Sequence, residues 1–216
     1  MTERSQIARV LDAVDTLRQP MVDELRNVLR VPSVSGTDAE NEAQQHMCGV
    51  LGRGGLDVDL WPIDLPTITA HPDFPGMEVP RREAWGLVGR LPGGDPDSGG
   101  TLMLNGHIDV VPTGDTDAWI DAPFDAVVRD GRLYGRGACD MKAGLIAAHW
   151  AVQAIRTAGV ELCGDLLVAS VQGEEDGGLG TFATLQRGWT ADACIIPEPT
   201  SLDIIPANID LSAAEV

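Results

Sequence analysis

A chain of 216 residues that is 44% hydrophobic can build one good-sized core, and it contains no apolar run long enough to offer a membrane span. The formal charge of −18 leaves no basic stripe to neutralise phosphates, which excludes nucleic acid as the expected partner. Cys48, Cys139, Cys163 and Cys194 are scattered without a C-x-x-C pair, which argues against a disulfide framework or a thiolate zinc site and leaves each as a small residue expected to be buried.

The opening "MTERSQIARVLDAVDTLRQP" carries charges of both signs, with Ile7, Val10, Leu11, Val14 and Leu17 at helical spacing. It lacks the apolar core of a signal peptide, so a cytoplasmic protein is expected. Apolar periodicity predicts helices over 5–18, 20–30 and 38–53, and "LDVDLWPI" alternates like a strand. Residues 64–84, with their prolines, read as an irregular connection; "WGLVGRL" resumes strand character before the turn-rich, exposed "PGGDPDSGG". Beyond it the pattern becomes regular. "TLMLNG" is a short buried strand, "FDAVVRDGRLYG" a hairpin around Asp130-Gly131, and "MKAGLIAAHWAVQAIRTAG" a helix with Met141, Leu145, Ala148, Val152 and Ile155 on one face. Strand "DLLVASV", a helix near "GTFATLQRG" and strand "ADACIIP" follow. Strands alternating with helices predict an α/β domain with a mostly parallel sheet flanked by helices.

In such sheets functional groups gather beyond the carboxyl ends of the strands. Here "TLMLNGHID" ends in His107 and Asp109, "LLVASVQGEEDG" in Glu174 and Glu175, and "ACIIPEPT" in Glu198, while Asp140 stands at the start of the long helix in "GRGACDMKAG". Each has a structural alternative: Asp140 as a helix cap, Glu174 to Asp176 as a solvated acidic turn, His107 as a satisfied core histidine. Their convergence from four segments favours metal, because buried charges must be paired or coordinated. Other chemistries fail on the residues. There is no H-E-x-x-H helix and no G-x-S-x-G elbow, and "GRGACDMKAG" lacks the glycine before Lys142 and the hydroxyl after it that a phosphate loop needs. Cys139 is disfavoured as a nucleophile because the adjacent acid raises a thiol's pKa.

"NGHIDVVP", "GRGACDMKAG", "GEEDGG" and "PEPT", in this order, resemble the di-zinc amidohydrolase and peptidase family that includes acetylornithine deacetylase, succinyl-diaminopimelate desuccinylase and glutamate carboxypeptidase. The likeness covers roughly residues 20–206, the early "LRVPSVSG" included. It implies a zinc-peptidase-like catalytic domain hydrolysing amide bonds of N-acyl amino acids or peptides with two Zn2+ per site, Co2+ being an alternative. It further implies that His107 and Glu198 bind one ion, Glu175 the other, and that Asp140 bridges them and precedes a cis peptide. Asp109 would orient His107 through its carboxylate, and Glu174 would be the general base.

The same likeness implies a smaller domain that forms a homodimer, and a further histidine ligand, beyond this sequence. Residues 1–55 are thus expected to be N-terminal helices and 56–206 the sheet with the metal motifs of a partial catalytic domain. Residues 207–216 form an atypical tail, "IDLSAAEV" being unlike the strand expected there, so that truncation near Asn208 is the leading expectation, and beside the hydrolase stands the alternative of an inactive metal-binding remnant or a half-domain needing another chain.

Overall fold

The computed structural model describes residues 3–95 and 99–206; the tail beyond Pro206 lies outside them. A sheet of five strands runs in the order β1 (Asp57–Pro62), β2 (Trp85–Leu91), β6 (Leu166–Val171), β3 (Leu102–His107), β7 (Ala193–Ile195). The half that carries the motifs is parallel, β3 pairing with β6 and β7, whereas β1 and β2 join antiparallel, so the sheet is mixed rather than mostly parallel. The two antiparallel strands precede the motifs and need no crossover helix, which the regular alternation downstream does not reveal.

Strand alternation builds two apolar layers. Leu87, Leu104 and Val168 face one side, where they pack with Met47 and Leu51 of α2 (Asp38–Arg53) and Leu145 and Val152 of α4 (Lys142–Thr157). Their neighbours Val88, Met103 and Leu167 face the other, with Leu179 and Ala183 of α5 (Leu179–Gln186). Burial on both faces explains why β6, "LLVASV", is buried throughout and reads as a continuous apolar run.

The first helices of the sequence reading are one. α1 (Glu3–Leu29) passes through Pro20 and packs against α4. An interior proline costs about 3 kcal/mol. Here Pro20 and Thr16, whose carbonyl loses its partner, are both exposed, so water can satisfy that carbonyl while Ala13 on one side and Val28 and Leu29 on the other are buried.

The proline-rich connection likewise contains a short helix, α3 (Leu65–Thr69), because Asp64 accepts hydrogen bonds from the Thr67 amide (3.4 Å) and hydroxyl (2.6 Å). The hairpin is as expected: β4 (Val127–Arg129) and β5 (Arg132–Tyr134) meet at Asp130 and Gly131, both left-handed at φ 51° and 73°. The cysteines depart from expectation. All are free, and Cys139, Cys163 and Cys194 are exposed because they fall in a turn, a loop and the edge strand β7. Around that edge Ile195, Ile196, Leu202, Ile204 and Ile205 are also exposed.

α4 and the segment after β7 touch through Gly144, where a Cβ would lie 2.2 Å from the Pro197 carbonyl oxygen. Gly144→Ala should therefore destabilise the chain by about 1–3 kcal/mol through overpacking, read as a lower urea midpoint. An unchanged midpoint would mean that the segment bearing Glu198 shifts freely.

Candidate metal centre

Register brings the motifs together. His107, the last residue of β3, lies opposite Val171, the last of β6, so the turn after β6 begins at the same sheet edge. Leu104 lies opposite Ile195 of β7, three residues before Glu198. The loop entering α4 adds Asp140, whose peptide bond to Met141 is cis, as the resemblance implies. The N-cap position of α4 is Met141 and makes no side-chain capping bond.

The His107 imidazole is buried at the centre of this cluster. Its Nε2 lies 3.1 Å from Asp140 Oδ1, 3.7 Å from Glu174 Oε2 and 3.8 Å from Glu198 Oε1. Two sets of side chains have ligand atoms within 4.8 Å of one another, His107–Glu174–Glu198 and His107–Asp140–Glu175, and both could hold a metal ion. All the expected ligands therefore meet. His46, His71 and His149 stay away: His46 pairs with Glu24 at 2.9 Å, His71 lies beside Asp73, and His149 is buried in α4, where burial pulls its imidazole down to about 4.

Asp109 acts differently from the expectation. The Nδ1–H of His107 donates to the main-chain carbonyl of Asp109 at 2.9 Å, whereas the carboxylate is 3.7 Å away. The backbone thus sets the ring, leaving Nε2 toward the acids. The buried Asp109 carboxylate instead accepts from Ser35 Oγ (3.1 Å) and from the amides of Glu174 and Glu175 (3.3 Å each), so it anchors the acidic turn. Ser35 is held there because residues 33–35 pair with the chain after His107, Val34 bridging Val110. That pairing is the structural content of "LRVPSVSG".

Burial raises the Glu175 and Glu198 carboxyls above the ordinary range; nearby His107 opposes this, and the acids around them add to it. For His107, burial favours the neutral ring, but Asp109, Glu174 and Asp140 outweigh it and raise the imidazole pKa. A recess of about 100 Å³ opens between His107, Glu174 and Glu198, with Asn105 and Met141 in its wall. These groups suit a divalent cation: one imidazole nitrogen aimed at several carboxylates that otherwise repel one another.

Some partners were not singled out from the sequence. Lys142 is fully buried, its Nζ donating to the carbonyls of Val28 (3.2 Å) and Val31 (2.9 Å), and burial pulls its ammonium down to about 7 against the attraction of Asp109. Arg81 joins Glu40 to Asp176. A lysine one residue inside an apolar helix was the only local sign of the first. The second has none, because its partners lie 41 and 95 residues away.

A profile of Peptidase family M20/M25/M40 matches residues 103–211. N-formyl-4-amino-5-aminomethyl-2-methylpyrimidine deformylase of Halalkalibacterium halodurans is 32% identical over 206 residues, 94% of this chain and 44% of that protein. Succinyl-diaminopimelate desuccinylase of Dechloromonas aromatica is 46% identical over 109 residues, 48% of this chain and 29% of that protein. Human carnosine dipeptidase 1 shares the fold, with a TM-score of 0.67 at 22% identity over 88% of this chain and 40% of that one. The chain spans less than half the length of each. The profile covers just over half of the chain and includes the whole cluster from His107 to Glu198, and the chain belongs to peptidase family M20/M25/M40.

Proposed function

We propose that this chain carries the metal-binding part of a hydrolase that cleaves the amide bond of an N-acyl amine, an N-acyl amino acid or a small peptide. The observation that carries the reading is the buried His107 Nε2 within 3.1–3.8 Å of carboxylate oxygens from three other segments. Two relatives are named for removing a formyl and a succinyl group, which supports a small acyl substituent; an N-acetyl amino acid of the acetylornithine type belongs to the same class.

His107 and Glu198 would hold one ion, Glu175 a second, and Asp140 would bridge them. Zinc, when bound, supplies Lewis acidity to a water and to the scissile carbonyl. Glu174 is the general base: its carboxylate takes a proton from the water whose oxygen bonds to the carbonyl carbon and delivers it to the nitrogen as the C–N bond breaks; the second water proton then leaves the new carboxylic acid for the amine, giving a carboxylate and an ammonium. Asp109 serves by holding the amides of Glu174 and Glu175, and thus the place from which that proton is moved.

Among the described residues both candidate ligand sets share His107, and one Nε2 lone pair serves one ion. A catalytic zinc typically has three protein ligands; in the proposed roles these would be His107 with Asp140 and Glu198, whose oxygens lie 3.1 and 3.8 Å from its Nε2. A second ion would then rest on Asp140 and Glu175. Purified, the 216-residue chain should bind no more than about one zinc tightly and hydrolyse acyl amino acids no faster than buffer, by elemental analysis alongside an amide-hydrolysis assay. Two tight zincs with clear turnover would mean that a further ligand completes the site. No bound zinc at all would sink the metal reading.

In a relative with turnover, replacing the equivalent of Glu174 by glutamine should abolish nearly all hydrolysis while the metal content stays unchanged, because the base is not a ligand. Loss of zinc in that variant would make Glu174 a ligand, as its place in the set with His107 and Glu198 allows.

Proton and metal compete for His107 Nε2. Because the folded pKa of His107 is raised above 6.5, its ion pairs stabilise the metal-free chain fully below that value and are lost as pH rises through the higher folded value. Glu175 and Glu198, raised from 4.5, act in the same direction. With a chelator present, the melting temperature should therefore fall as pH is raised through the region just above 6.5, and added zinc should restore it at the upper end. Lys142, pulled down to about 7, acts in the opposite direction, so a chelated chain whose melting temperature falls no more than that of a His107→Gln variant over this range would contradict the electrostatics of the cluster.

A further inference from the structure

The turn between β6 and α5 carries Glu174, Glu175 and Asp176 in succession, and the first two face the His107 cluster. Asp176 turns the other way, onto Arg81, whose side chain is 2% exposed. All five guanidinium N–H donors are used: Nε and Nη2 to Glu40 at 2.9 and 2.8 Å, Nη2 and Nη1 to Asp176 at 2.8 Å each, and Nη1 to the Val79 carbonyl at 3.1 Å. Glu40 belongs to the first turn of α2 and also accepts from the Gly36 amide at 2.7 Å, so its end of the fork is fixed to a helix.

The guanidinium also lies directly beneath the turn. A Cβ on Gly173 would come within 3.1 Å of Arg81 Cζ, and one on Gly177 within 2.4 Å of the Gly76 carbonyl oxygen; both glycines have positive φ. The turn is therefore pressed onto residues 76–81, and the amides of Glu78 and Val79 each donate to Asp176 at 2.9 Å. On its other side Asp109 accepts the Glu174 and Glu175 amides at 3.3 Å, longer contacts than any in the Arg81 fork.

We infer that Arg81 is a positioning residue for the proposed metal centre: clamped between Glu40 and Asp176, it sets the place of the Glu174–Glu175 turn relative to His107 and Asp140. Like charges gathered around His107 push the turn outward, and the fork on its far side opposes that push by tying Asp176 to α2. Without it, two buried carboxylates lose their partner, and Asp176 reaches water by swinging the turn away from the cluster. Lysine cannot substitute, since it has three donors and no planar fork. The inference rests on the roles proposed for His107, Asp140, Glu174 and Glu175, and its test has a readout that does not.

That test compares the chain with Arg81→Lys and with the charge-neutral combination Glu40→Gln, Arg81→Met, Asp176→Asn, which removes the fork without leaving a buried charge unpaired. In the metal-free proteins, hydrogen–deuterium exchange over residues 173–178 should be at least about tenfold faster in both variants, with β6 and α2 unchanged. Titration with cobalt alone, followed by its visible absorption, should show affinity weaker by about tenfold or more and an altered spectrum, since ligand orientation tunes metal affinity by such factors. Should Arg81→Lys exchange faster everywhere, the fold as a whole has loosened and the neutral combination decides. Unchanged exchange over 173–178 in that folded combination, or unchanged cobalt affinity and spectrum with the parent chain binding, overturns the inference. If the parent chain binds no cobalt, the metal reading fails, while the exchange result still decides whether Arg81 sets the turn.

Discussion

Parallel pairing of β3 with β6 and β7 is the constraint from which the site follows. Parallel strands run in one direction, so the chain leaves all three at one edge, and the register sets where each exit begins: His107 ends opposite Val171, while the chain leaving β7 at Ile195 reaches Glu198 three residues on. A shift of one residue in either ladder would turn His107 or the acidic turn to the opposite face. The two apolar layers that bury β6 from both sides oppose such a slip, because Val168 and Leu167 belong to different cores.

Gathering acids at one edge creates an electrostatic problem that the fold handles at two depths. Near the centre, burial and mutual repulsion raise Glu175 and Glu198, and the single imidazole is raised in turn because it is the nearby cation-forming group. Further back, fully buried carboxylates have defined partners: Asp109 takes Ser35 and two amides, while Glu40 and Asp176 share Arg81. The back layer is satisfied from within the chain, whereas the front layer leaves carboxylate oxygens converging on one point. That difference separates residues that hold the turn from residues available to a ligand.

Membership of peptidase family M20/M25/M40 fits this division. The profile begins at Met103 in β3 and takes in the ligand cluster, yet α1, α2 and the connection bearing Arg81 lie before it. Those earlier elements supply what the cluster leans on: Ser35, Glu40 and the carbonyls of Val28 and Val31 that receive Lys142. The chain spans less than half the length of the deformylase and the desuccinylase, and their names support the proposed class of amide substrate rather than one molecule.

By itself the sequence determined the elements and the cluster, because these depend on short-range patterns: continuous apolar runs for buried strands, Asp130-Gly131 for the hairpin, and acids or histidine placed where each run stops. It did not determine that α1 continues through Pro20, since water on the exposed side and packing on α4 decide that, nor that β1 and β2 join antiparallel. The family resemblance implied a carboxylate behind the His107 ring; only the tertiary structure assigned that place to the Asp109 carbonyl and turned the carboxylate to the Glu174 and Glu175 amides. Arg81 was silent for the same reason. A guanidinium in a proline-rich connection acquires meaning only when residues 41 before it and 95 after it are brought to its fork, and distant pairing of that kind leaves no local pattern to read.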